Sequence, residues 1–123
     1  MKIIVHEKFD FIEIQLNMKE KILSVHGSFE NIPVENIKKV STLEPESSWN
    51  DIKSPGTDVG LFKGGTFISS RGIEFWCVYK HKKPHYLVIE LKEHRFARII
   101  LTVKNNIEIK NKIENILERI NEN

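Results

Sequence analysis

A long apolar repeat at helical period closes the chain. Ile109, Ile113, Ile116, Leu117 and Ile120 fall at i, i+4, i+7, i+8 and i+11, a single stripe along a helix. Lys110, Lys112, Glu114, Glu118 and Arg119 lie between them and make the opposite face polar. Asn105 is the candidate N-cap, and Glu108 completes a variant capping box. The spacing predicts an amphipathic helix over about 106–121.

Upstream the period is two. Phe11 to Leu16 alternates, with Ile12, Ile14 and Leu16 on one face. Asn17-Met18-Lys19-Glu20 reads as a turn into a second alternating run, Lys21 to His26, which predicts a hairpin. Ile3 to Val5 reads as an edge strand or a lead-in. Pro33 has no amide hydrogen for a ladder, so the chain bends there or runs along an edge. A strand from Ile37 to Leu43 follows. Residues 44–60, rich in Ser, Pro, Asp and Gly, read as a long loop, punctuated by Trp49, Ile52, Leu61 and Phe62.

Four further strands come in close order: Thr66 to Ser69 after the Gly64-Gly65 pair, Ile73 to Tyr79, Tyr86 to Leu91, and Phe96 to Val103. Gly64-Gly65 suits a tight turn or a close backbone approach. Leu87, Ile89 and Leu91, then Ile99, Leu101 and Val103, point inward. The expected fold is mainly β. Seven antiparallel strands roll into a barrel, and the terminal helix covers one open end. No linker or repeat divides the chain, so residues 1–123 form one domain, with strands from about 3 to 103.

Composition narrows the classes of function. Cys77 is the lone cysteine and sits within Phe75-Trp76-Cys77-Val78-Tyr79, so a buried, inert thiol in a reducing compartment is expected. Only three consecutive aliphatic residues precede charge at the N-terminus, too few for a signal core, and nothing later approaches a membrane span. A cytoplasmic location follows as the expectation. Net charge is +2 but uneven: −3 over residues 1–51 and +4 over 80–103. That density is too low for a dedicated nucleic-acid binder.

Two constellations stand out. Lys80, Lys82 and Lys83, with His81 and His85, form the densest cationic cluster, at a hairpin tip. Three lysines against an anionic surface contribute about 1 kcal/mol each, enough for weak, salt-sensitive contact. The plainer reading is a solvated turn. No aromatic residues interleave with the lysines as base-stacking platforms require. No third ligand near His81 and His85 completes a metal site. Trp49, Phe62 and Trp76 are the second constellation, either anchors for a protein partner or seals on the side of the barrel.

Gly60 to Thr66 lacks the Gly-Lys-Ser/Thr order of a phosphate loop, and Asp51, Asp58 and Glu74 have no paired spacing for acid–base work. No catalytic residue, cofactor or metal ligand is expected.

Ile32-Pro33-Val34-Glu35-Asn36-Ile37, Trp49 with Ser54-Pro55-Gly56-Thr57, Gly64-Gly65-Thr66-Phe67, Glu74-Phe75-Trp76, Val88-Ile89-Glu90-Leu91 and Arg98 to Val103 together resemble a family of small bacterial pleckstrin-homology-like (PH-like) domains. The resemblance implies seven strands capped by one C-terminal helix, and a role in binding or assembly. Phosphoinositide-binding relatives carry basic residues in the first hairpin. Here only Lys19 and Lys21 flank Glu20, followed by Ile22-Leu23, so that motif does not carry over. The leading expectation is a non-catalytic protein-binding or self-assembly module. The alternative is a weak adaptor on anionic membrane surfaces through Lys80, Lys82 and Lys83. A carrier of small apolar ligands within the barrel is the third.

Overall fold

The computed structural model describes residues 1–24, 31–45, 52–59, 62–80 and 83–122. In chain order the elements are β1 (Lys2–His6), β2 (Phe11–Gln15), α1 (Met18–Leu23), β3 (Ile32–Pro33) and a 3₁₀ turn at Val34–Asn36. Then come β4 (Ile37–Ser41), β5 (Ile52–Val59), β6 (Phe62–Ser69), β7 (Gly72–Tyr79), β8 (Tyr86–Leu91), β9 (Arg98–Thr102) and α2 (Asn106–Asn121).

The mainly β character and the terminal helix are as expected; the seven-stranded barrel is not. The strands form two separate sheets, three-stranded β1-β2-β3 and six-stranded β4-β8-β9-β7-β6-β5. Nor is every pairing antiparallel. β9 lies between β7 and β8 and runs parallel to β7, with Glu74 opposite Arg98 and Cys77 opposite Leu101. The cause is geometric: β8 and β9 form an antiparallel hairpin, and β9, not β8, fills the place beside β7. A strand so placed is covered on both faces, and its sequence reads as an unbroken apolar run, Ile99-Ile100-Leu101.

The six-stranded sheet therefore has two apolar layers. On its inner face Phe75, Cys77, Leu87, Ile89, Ile99 and Leu101 pack with Ile12 and Ile14 of β2 and with the α2 stripe. On its outer face Phe67, Trp76, Val78, Val88 and Ile100 form a second cluster, edged by Tyr86. The α2 stripe packs as read: Ile109, Ile113 and Ile116 are buried, and Leu117 and Ile120 partly so. Full burial of each such side chain is worth about 1.5–3 kcal/mol, so α2 is a structural lid over the gap between the sheets.

The expected hairpin of residues 11–16 with 21–26 is absent from the described residues. β2 pairs with β1 on one side and β3 on the other, and the presumed turn is the start of α1. A full capping box builds that helix. Glu20 N donates to Asn17 Oδ1 at 2.8 Å and Asn17 N donates to Glu20 Oε1 at 2.9 Å. At α2 the expected box does not form. Asn105 makes no side-chain cap, while Asn106 Nδ2 donates to the Tyr86 carbonyl at 2.8 Å and ties the helix start to β8.

The stretch read as a loop contains β5, an edge strand interrupted in register between Lys53 and Gly56, as its Pro55 requires. Gly64 lies inside β6, not at a turn. A Cβ there would sit 2.4 Å from the Phe62 ring and 3.2 Å from Ser24 Cβ, so the glycine lets α1 close on the sheet.

Candidate docking end

Two buried acids organise the polar interior, and each fixes one of the regions singled out in the sequence. Glu74 is fully buried on the outer face of β7. Arg98 holds it with two parallel bonds, Nε to Oε2 at 2.6 Å and Nη2 to Oε1 at 3.0 Å. The Trp76 indole N–H donates to Glu74 Oε1 at 3.1 Å, and Arg71 Nη1 stands 3.6 Å from Oε2. Lys63 Nζ lies 3.8 Å from the Trp76 ring centroid, a cation–π contact across the top of this network.

Trp76 is consequently a buried, hydrogen-bonded pillar of the outer layer. Phe62 is buried too, but on the opposite face, with its ring edge-on to Tyr79 at 5.1 Å. The register explains the separation: Phe62 pairs with Tyr79 and Gly65 with Trp76, so the two aromatic residues differ in strand parity. The structure does not bring Phe62 and Trp76 to one surface. Trp49, their third companion, lies outside the described residues.

Glu20 is the second acid, 1 % exposed. Its Oε1 lies 3.0 Å from the Met1 amino group, and its Oε2 accepts from the Tyr79 hydroxyl at 2.8 Å. Burial, reinforced by the bond to Glu20, raises the Tyr79 phenol above its usual range. Burial and then the Glu20 charge push the neighbouring Cys77 thiol up to about 12, which agrees with the inert thiol expected.

This Glu20 cluster gathers α1, the start of β1 and the end of β7 at one end of the fold. The start of β8 and the end of β9 meet there as well, with Tyr86 opposite Thr102 and Val103 N donating to the His85 carbonyl at 3.0 Å. A groove of about 430 Å³ runs between the first residues of β1 and the Thr102–Asn105 turn. Exposed Lys2, Lys19, Lys83 and Lys104, with half-buried Lys21 and Lys80, ring this end. Among them protrude Met18 and Ile22, one helical turn apart on α1 and 70 % and 67 % exposed, and Ile107 of α2 at 63 %.

Of the predicted cationic cluster, Lys80 and Lys83 therefore sit at this end, while Lys82 and His81 lie outside the described residues. Lys80 also reaches the outer-face side, where it lines a hollow of about 330 Å³ with Glu44, Lys63, Trp76 and Tyr86. Burial raises the Tyr86 phenol, with a further contribution from Glu44. The sequence reading missed Lys2, Lys19, Lys104, Met18 and Ile22 as members of one surface. The signal that could have found α1 was the Asn17-x-x-Glu20 capping box ahead of an i, i+4 apolar pair.

Among the described residues no group of three or more His, Cys, Asp or Glu is placed to hold a metal, and no helix is long and apolar enough to cross a membrane. Comparisons of the chain with protein-family models, with curated proteins and with solved structures find no match.

Proposed function

We propose that this chain is a non-catalytic PH-like binding module of the cytoplasm, whose partner is an acidic protein surface met by the α1/β8/α2 end. One observation carries the reading: lysines from four separate parts of the chain converge on this end around protruding Met18, Ile22 and Ile107. Apolar side chains ringed by cations suit a partner with apolar contacts and negative charge. The PH-like assignment rests on the sequence motifs, the mainly β build and the C-terminal helix; the parallel β7–β9 pair departs from that layout.

Self-assembly through this end is disfavoured by its own charge, because two copies would bring lysine against lysine. Light scattering at high protein concentration tests the self-assembly version, which a strictly monomeric particle refutes. For the acidic partner, the test is titration of labelled protein with a poly-glutamate chain at low and physiological salt. We expect salt-sensitive shifts confined to this end, and a loss of about tenfold or more in affinity for the Lys19→Glu/Lys83→Glu/Lys104→Glu variant. Equal binding by the variant refutes the reading.

A second reading, an adaptor on anionic membranes, is favoured by Met18 and Ile22 themselves. Apolar residues beside Lys19 and Lys21 on one short helix match the composition of interfacial anchors. Co-sedimentation with anionic but not neutral vesicles, lost in Met18→Ser/Ile22→Ser, supports it.

A further inference from the structure

We propose that the outer edge of β1 is a seat for an extended segment of a partner protein, added as a fourth strand to the three-stranded sheet and carrying acidic residues at its ends. The inference rests on the reading of this end as the docking end and specifies its occupant.

Among the described residues the two sheets have three edge strands besides β1. β4 is blunted by a register shift between Ile37 and Lys39 and by exposed Lys38 and Lys39. β5 carries Pro55 and its own register break. β3 is only two residues long. These are the devices by which sheets block edge pairing. Of these devices β1 has only one exposed lysine, Lys2, at its first position. It pairs with β2 in five uninterrupted steps from Lys2–Gln15 to His6–Phe11, and its centre is Ile3-Ile4-Val5.

In an antiparallel pair, alternate residues of the edge strand turn their N–H and C=O groups outward. Among the described residues nothing hydrogen-bonds to those outward groups of β1 apart from the turn bond from Phe9 N to the His6 carbonyl. Such a row is a template for strand addition. Space lies at the start of this strand, where Met1, Lys2 and Ile3 line the groove. Ile3 and Val5 pack only partly into the core, and Ile4 on the other face is half-buried, so an added strand with alternating aliphatic residues would complete their cover. Lys2 at the start of the strand and Lys104 across the groove set the charge of the occupant.

The test uses the full chain and a blocked synthetic peptide, Asp-Val-Thr-Ile-Thr-Val-Asp, followed by amide hydrogen exchange and chemical-shift mapping. Controls are the same peptide N-methylated at its central residue, and poly-glutamate of equal length. We expect the first peptide to shift residues 2–6 and to slow exchange at alternate β1 amides. N-methylation should weaken binding at least about tenfold, because it removes a ladder donor. Lys2→Glu/Lys104→Glu should weaken it by a similar factor while leaving the fold unchanged.

Shifts confined to the lysine-bearing end, with unprotected β1 amides or indifference to N-methylation, overturn the strand-addition inference and leave the docking end standing. No binding by either acidic probe at low salt overturns both. Retention on phosphatidylglycerol vesicles, without β1 protection by the peptide, moves the docking end to lipid and overturns the inference as well.

Discussion

Removing both partners of the Glu74–Arg98 pair should cost well under the sum of removing each alone. The pair is out of water, with Glu74 at 0 % and Arg98 at 5 % exposure, and its two bonds lie in the fork geometry that only arginine offers. In Arg98→Met the methionine fills most of the volume but strands a buried carboxylate, and the expected loss is about 3–5 kcal/mol. Glu74→Gln strands the guanidinium instead, with a loss of the same order, though it still offers an oxygen to the Trp76 indole. The double variant leaves neither member of the pair as an unpaired buried charge. It should lose about 2–3 kcal/mol less than the sum of the two single losses. A domain of this size has about 5–15 kcal/mol in hand, so the single variants remain foldable enough to measure. Urea unfolding followed by far-ultraviolet circular dichroism gives all three values. Additive losses, or a cost below about 1 kcal/mol for Arg98→Met, would show that water reaches the pair, and the account of the outer face as a sealed second layer fails.

Two further outcomes follow from the inner layer. Cys77 and Tyr79 both have raised pKa values in the fold, so the folded state holds their protons longer than the unfolded chain does. Their contribution is intact below about pH 8.5, where the unfolded thiol begins to ionise, and is lost as pH rises toward 12 with a slope of up to about 1.4 kcal/mol per pH unit for each group. The urea midpoint should fall between neutral and alkaline pH, less steeply in Cys77→Ala, and an unchanged midpoint counts against the burial argument. Gly64→Ala should cost about 1–3 kcal/mol, because the new methyl group meets the packed Phe62 ring; a neutral result in thermal unfolding would mean that α1 is not pressed on β6 at this point.

The parts of the fold that were legible in the sequence are those whose period is set locally by burial on one face. The α2 stripe and the alternation of β2 and β8 belong to this group, because a residue's neighbours in sequence decide which side it shows. α1 is not legible by period because its six residues make barely two turns, too few to separate period 3.6 from period two. The capping residues carried the better signal there, since they act through backbone groups that only a helix start leaves unpaired. The β7–β9 pairing was illegible for a different reason. Which strand fills the gap beside β7 is decided by packing between segments more than twenty residues apart, and nothing in either segment's own pattern records it. Trp76 illustrates the limit at the level of a site. Trp76 and Phe75 are both buried, on opposite faces of β7, but the role of Trp76 depends on Glu74 and Arg98, brought together across that same parallel pair.

The placement of the proposed docking end traces to Glu20. A carboxylate in the first turn of α1 first serves as the reciprocal half of a capping box, which makes a helix of a segment too short to form one alone. Its other oxygen takes the Tyr79 hydroxyl, so the same side chain pins that helix to the end of β7. With Glu20 turned inward, helical geometry leaves Met18 and Ile22 facing out, two residues before and after it. Lys19 and Lys21 necessarily flank them. Burial, and after it the Glu20 carboxylate, makes Cys77 and Tyr79 hard to ionise, and the same carboxylate fixes the exposed face of α1. Lysine reversal at the rim should therefore weaken poly-glutamate binding while leaving the alkaline fall in the urea midpoint, which burial sets, untouched.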